Sequence, residues 1–321
     1  MGNCLAPLAQ SSSSATAEQD SAPQQPTPEQ PLSPISHVFS TSSSSSRQPI
    51  SDRVRRNKSV SSKVRNSRSS SIFSMGGGPS LDALRNYATL SNPTSSLPPS
   101  KLLLSSSNTL AVFDAYPKAK YHFLVLPRYP FPPLSNPESK NSIAPLEAFD
   151  DLKSLLMKMN REAREDVLIS MSNMAREVEE MIRDEMLKTE GFEWKIDVGF
   201  HAIPSMKHVH LHVISDDRIS PSLKTKKHHN SFRPDLGFFI PIMEVQRWIE
   251  DDSNMQERVD ALSSAERLLN TPLTCHKCDE FMTNIPKLKT HLEKHFVEER
   301  AAELRHIARH GTQRNSDEEM F

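Results

Sequence analysis

The chain has 321 residues with 39 Lys and Arg against 40 Asp and Glu, so its formal net charge of −1 names no class of partner by itself. Three cysteines exclude a disulfide framework and suit a reducing compartment. No run of about 18 apolar residues is present, so no membrane-spanning helix and no membrane partner are expected.

In chain order, residues 1–95 read as a disordered tail. Ser, Pro and Gln dominate there, as at Ser11 to Ser14 and Ser42 to Ser46, and such a segment cannot bury enough apolar surface to offset its ordering entropy. Arg53, Arg55, Arg56 and Lys58, followed by Lys63, Arg65 and Arg68, form a basic cluster with Arg-x-x-Ser spacing around Ser59. It reads as a nuclear localisation signal or a DNA-tethering arm, against the plainer reading of a solvated linker. The start Met1-Gly2-Asn3-Cys4 hints at acylation, although Ala6 stands where Ser or Thr is usual.

A hairpin follows. Leu110 to Phe113 supply one strand, Pro117 punctuates the turn, and Tyr121 to Leu126 supply the next. After a Pro-rich loop from Pro127 to Pro145, apolar residues recur at three- and four-residue spacing. They run through Leu146, Phe149, Leu152, Leu156 and Met159, then Val167, Met171, Met174, Val178 and Ile182, with a break expected between Asn160 and Asp166. This methionine-rich stripe reads as core. Phe192, Trp194, Ile196 and Val198 alternate as a strand does.

The run His208-Val209-His210-Leu211-His212-Val213-Ile214 carries the chemistry. A strand with period two places the three imidazoles on one face and Val209, Leu211 and Val213 on the other. Imidazole serves as nucleophile, acid, base or ligand, so two readings stand: phosphorus chemistry, or a His-x-His metal site helped by Asp216 and Asp217. Between Arg218 and Arg233 lie five Lys or Arg and two His with no acid, a stretch a phosphate backbone could follow. A helix around Met243 to Leu269 is expected next. Finally Cys275, Cys278, His291 and His295 have C-x2-C-x12-H-x3-H spacing, the ligand set of a two-Cys, two-His zinc finger. Asn284 can cap its helix, Leu288 and Leu292 are expected to pack on Phe281, and residues from Arg300 to His310 can extend it.

His-φ-His-φ-His-φ-φ resembles the signature of the histidine-triad (HIT) family. Asp114-x-x-Pro117-x-x-x-x-His122-x-Leu-φ-φ-Pro127 is similar to a second HIT element. His201 to Ser215, Leu223 to Phe232 and the finger placed after them resemble the aprataxin branch, over roughly residues 102–297. The resemblance implies an α+β fold, an antiparallel sheet with packed helices followed by a small zinc-finger domain. The implied layout is a HIT domain over 96–235, a linking helical segment over 236–270, a finger over 271–298 and an extension over 299–321. It resembles the shorter, fungal-type members, since a Ser-rich segment stands where vertebrate members carry a phosphopeptide-binding domain.

By the same resemblance His210 is a nucleophile that becomes covalently adenylylated, His208 and His212 orient it and contact phosphate, and His201 assists the leaving group. Asp114 contacts ribose, Ser205 the phosphate and Lys227 DNA; Lys118, His122 and Arg128 complete the substrate-binding set. The implied activity is hydrolysis of DNA 5′-adenylates at nicks, double-strand ends or RNA–DNA junctions, releasing AMP, in single-strand break repair. Zinc is implied for the finger and no metal for the chemistry; the implied location is the nucleus, with the cytoplasm as a second site. Hydrolysis of small dinucleoside polyphosphates or phosphoramidates, or nucleotide binding without turnover, are the alternatives.

Overall fold

A computed structural model describes residues 81–132, 134 and 144–318, the last nine of these as backbone only. The tail with its basic cluster and Met1-Gly2-Asn3-Cys4 start, and most of the Pro-rich loop, lie outside the described residues.

Two short helices, α1 (Ala83–Ala88) and α2 (Pro93–Ser96), precede strands β1 (Leu102–Ser105), β2 (Thr109–Phe113) and β3 (His122–Pro127). A 3-10 turn at Leu146–Phe149 leads into α3 (Leu152–Lys158) and the long α4 (Arg161–Glu190). Then come β4 (Ile196–His201), β5 (Leu211–Ser215), α5 (Lys226–Asn230), β6 (Phe239–Pro241), α6 (Ile242–Glu250), α7 (Met255–Ser263) and α8 (Ile285–Glu318). The strands form one antiparallel sheet in the order β1-β2-β3-β5-β4-β6. The α+β expectation therefore holds, and the expected hairpin is the β2–β3 pair, in register from Thr109 opposite Pro127 to Phe113 opposite Phe123.

Period-two alternation divides the sheet into two buried faces. Ala111, Phe123, Val125, Leu211 and Val213 meet the apolar stripe of α4, where Val167, Met171, Met174, Val178, Ile182 and Met186 are buried. The methionine stripe is core, as expected. Asn160 starts α4 by accepting the Ala163 amide, and Gly191 ends it with φ 78°, so the break falls at Met159–Asn160 and does not extend to Asp166. On the other face, Leu110, Val112, Leu124 and Leu126 pack with Leu102 and with Leu84 of α1. Folded structure thus begins by residue 81, ahead of the boundary expected at 96. The signal was weak because α1 buries only Leu84 and Ala88.

Other expectations need correction. Residues 242–270 form α6, α7 and flanking 3-10 turns in place of one helix. Phe192 and Trp194 precede β4 rather than belonging to it. In the finger, Leu288 and Leu292 pack with Leu273, Cys275 and Met282, while Phe281 is 64% exposed. The reason is local: the Thr274–Phe281 bridge and the Met282 amide bond to the Leu273 carbonyl turn Met282 inward. The finger helix α8 continues through the expected extension to Glu318. No helix among the described residues is long and apolar enough to cross a membrane.

Gly199 pairs with His212 on β5 and with Pro241 on β6. A Cβ there would stand 2.5 Å from the Phe239 ring and 2.6 Å from the Ile240 carbonyl oxygen, so only glycine lets the edge strand approach this closely.

Candidate active site and finger junction

Strand β5 begins at Leu211, not at His208 as the alternation suggests. His208 has φ 83°, a left-handed backbone that interrupts the pleat and removes its ring from the row. The buried ring stacks on Phe149, with centroids 5.8 Å apart and 12° between planes, and its Nε2 donates to the Pro127 carbonyl at 2.7 Å. What His208 offers the site is its carbonyl. His210 Nδ1–H donates to it at 2.8 Å, which fixes the tautomer and leaves the Nε2 lone pair without a protein partner among the described residues.

A relay sets the tautomer of His212. The Lys118 amide donates to His122 Nδ1 at 3.2 Å, so the His122 proton sits on Nε2. That nitrogen lies 3.0 Å from His212 Nδ1 and donates to it, so His212 in turn carries its proton on Nε2. His212 Nε2 is buried with no partner among the described residues, as is His201 Nε2, and the two rings are 4.2 Å apart. Buried polar atoms of this kind normally find a hydrogen bond. The His212 ring lies beside that of His210, with centroids 5.1 Å apart.

Burial pushes every one of these imidazoles below its ordinary pKa. His122 and His208 fall to about 4, His201 and His212 lie well below the usual value, and His210 is lowered with the His208 carbonyl and Asp114 opposing the shift. At neutral pH His210 is unprotonated, the state a nucleophile needs.

The remaining expected residues divide. Asp114 lies at the site, accepting the Tyr116 amide at 2.6 Å with its other oxygen 3.8 Å from His122 Nδ1. Lys118 reaches the Tyr116 carbonyl, and burial lowers its pKa. Arg128 is turned away: its guanidinium donates to the carbonyls of Leu90, Ser91, Ser106 and Ser107, stapling loops together. Ser205 is exposed on the loop between β4 and β5, and exposed Lys227 lies 3.5 Å from Glu266. The wall around His201, formed by Phe232, Phe238 and Phe239, was not anticipated; their aromatic clustering in sequence was the available signal.

Of the metal readings, the finger set converges. The ligand atoms of Cys275, Cys278, His291 and His295 all lie within 4.8 Å of one another, with His291 Nε2 3.1 Å from Cys278 Sγ and 3.0 Å from His295 Nε2. Tetrahedral zinc bonds place donor atoms about 3.3–3.8 Å apart, so the set fits that ion. Asp114, His122 and His212 also converge, but both His122 nitrogens are engaged in the relay. Asp216 and Asp217 do not join the histidines. Asp217 binds Trp194 and the Lys120 amide. Asp216 meets Arg218, His276 and Lys277, the last two lying between the finger cysteines. Arg218, 1% exposed, also binds Asp197 at 2.6 Å, and Arg233 binds Asp235 and Asp279. Two of the five cations expected to line a phosphate backbone are therefore internal.

Residues 93–228 match the family described as "Scavenger mRNA decapping enzyme C-term binding", and residues 235–298 match "C2HE / C2H2 / C2HC zinc-binding finger". The "Aprataxin" of Danio rerio is 36% identical over 197 residues, 61% of this chain and 50% of that protein. The "Aprataxin-like protein" of Schizosaccharomyces pombe is 31% identical over 190 residues, 59% of this chain and 72% of that protein. A solved chain described as "Crystal structure of aprataxin ortholog Hnt3 in complex with DNA" superposes with TM-score 0.47 at 25% identity, covering 68% of this chain and 95% of that one. The chain spans about half the length of the vertebrate relative it matches.

Proposed function

Because the chain belongs to the aprataxin family, we propose that it is a DNA repair hydrolase that removes AMP from adenylated 5′ ends. The observation that carries the reading is the pinned tautomer of His210, whose Nδ1–H is committed to the His208 carbonyl and whose Nε2 is free.

In the proposed course, His210 Nε2 attacks the α-phosphorus of the adenylate. A nitrogen–phosphorus bond forms, the anhydride oxygen–phosphorus bond breaks, and its electron pair leaves on the DNA 5′-phosphate. His212 Nε2–H donates to a phosphate oxygen, and the relay through His122 keeps the proton there. His201 is neutral in the free protein, so its assistance to the leaving group depends on the arriving anion raising its pKa. Water then attacks the same phosphorus and releases AMP and free His210. Asp114 serves the ribose, and Lys118 adds positive charge at the mouth. Zinc held by Cys275, Cys278, His291 and His295 organises the finger, whose cluster of five buried residues is too small to fold unaided. The nucleus is the proposed location.

Turnover of a nicked duplex bearing a 5′-AMP tests the proposal, with wild type and His210→Ala compared. Release of AMP and a ligatable 5′-phosphate is expected, and the variant should lose about 10⁴-fold or more in kcat, as when a nucleophile is removed. Turnover of adenosine 5′-phosphoramidate but not of the duplex would move the assignment to small nucleotides. Wild-type rates in His210→Ala would overturn the mechanism.

A further inference from the structure

The left-handed residue at the heart of the site is held from outside the sheet. Three consecutive amides approach the nucleophile, and each has a fixed acceptor. Lys207 N–H donates to the Leu81 carbonyl at 2.8 Å, His208 N–H to the Asp150 carbonyl at 3.0 Å, and Val209 N–H to the Phe149 carbonyl at 2.6 Å. Phe149 also stacks under the His208 ring. Leu81 precedes α1, and Arg85 of α1 forms an ion pair with the Asp150 carboxylate. That pair is largely sheltered, with 18% and 25% of the two side chains exposed.

A non-glycine residue with positive φ persists only where its surroundings over-determine it. At His208 those surroundings are residue 81, residues 149–150 and the Pro127 carbonyl. The conformation they enforce aims the His208 carbonyl at His210 Nδ1. Without it, His210 is free to exchange tautomers and turn, and Nε2 no longer points its lone pair at a fixed place.

We infer that α1 is part of the catalytic machinery as a clamp, and that Arg85 and Asp150 are positioning residues that set the tautomer and aim of His210 through the backbone of His208. Neither touches the reacting atoms. The inference rests on the proposed role of His210 as nucleophile, but the tautomer itself can be read without any substrate.

The test uses the full chain, zinc-loaded, as wild type, Arg85→Ala, Arg85→Lys and Asp150→Asn. Nitrogen-15 spectra of the histidine rings report the His210 tautomer directly. Turnover of adenosine 5′-phosphoramidate and of the nicked 5′-AMP duplex separates kcat from KM. Arg85→Ala should show a mixed His210 tautomer and a kcat lower by roughly ten- to hundredfold on both substrates, as for a displaced reacting group, with KM within about twofold. Arg85→Lys should restore most of both signals. Should Arg85→Ala fail to fold, Asp150→Asn keeps the carbonyl and the shape, removes the charge, and should show the same two changes.

A single unchanged His210 tautomer with unchanged kcat, whatever the fall in Tm, would overturn the inference. So would a rise in KM alone, which would make Arg85 a substrate contact. If wild type turns over neither substrate, the proposed function fails, while the tautomer comparison still decides whether the clamp exists.

Discussion

Around the entry to β5, five buried or part-buried histidines gather with Asp114 as the only close carboxylate among the described residues, and burial keeps them neutral. Behind the finger, Arg218, Asp197 and Asp216 are equally enclosed, but there, with Lys277 beside them, the charges meet. A buried ionisable group either discharges or pairs, because an isolated charge out of water is too unfavourable. Discharging leaves lone pairs and N–H groups ready for a ligand, as His201 and His212 Nε2 show. Pairing ties the charges into a joint, although Arg218 Nε and Nη1 also lack a hydrogen-bond partner among the described residues, so what separates the two places is charge. The first arrangement suits chemistry; the second suits holding the finger against the sheet.

The contrast can be broken in several places. Metal removal should have the largest effect. Stripping zinc with a chelator should abolish ordered structure from Leu273 to Leu292, a loss of about 10 kcal/mol in apparent folding free energy. Metal analysis paired with thermal denaturation reads it, and an unchanged melt would dissociate the ligand set from stability.

Next comes Arg218→Met. It takes from Asp197 and Asp216 the buried cation they share, leaving only half-buried Lys277 on Asp216 and exposed Lys195 on Asp197, and should destabilise by about 3 kcal/mol in urea titration. Adding Asp197→Asn should recover part of that; a single variant as stable as wild type would refute the pairing argument.

Acid acts on the two clusters with the same sign but in different windows. Histidines with depressed folded pKa contribute stability that is fully present above pH 6.5 and lost as pH falls toward about 4, because the unfolded chain takes up protons first. His122 and His208 should each account for roughly 3 kcal/mol over that interval. Asp216 is held below its ordinary value by His276, Arg218 and Lys277, so its contribution survives until pH drops beneath 3.8. Saturating AMP should flatten the upper loss, since an anion favours protonated imidazole. A pH-independent stability between 6.5 and 4 would contradict the neutral histidines. The smallest effect belongs to Asn284→Ala, which removes the acceptor for the Lys287 amide at the start of α8 and should cost about 1 kcal/mol in thermal melts.

Legibility in the sequence followed the range of the interaction. The finger ligands and the β2–β3 hairpin are encoded within short spacings, and both could be read there. The alternation placed His210 and His212 correctly near β5, yet it could not reveal the turn at His208. That turn depends on residues 81, 149 and 150, remote in sequence. Arg218 looked like a surface cation because its partner Asp197 is 21 positions away. Arg128 looked like a substrate contact for a similar reason, its acceptors being carbonyls that composition does not show. Helix α1 escaped notice because two buried residues make too faint a period.

Gly199 bears on water. The edge strand β6 lies against β4 only because no methyl group stands between them, and Phe239 on that strand walls His201. An alanine at 199 would force β6 outward, carry the ring with it, and admit solvent beside the reacting histidines. The burial of these histidines, which strengthens every hydrogen bond among them, thus depends on an atom the chain does not have.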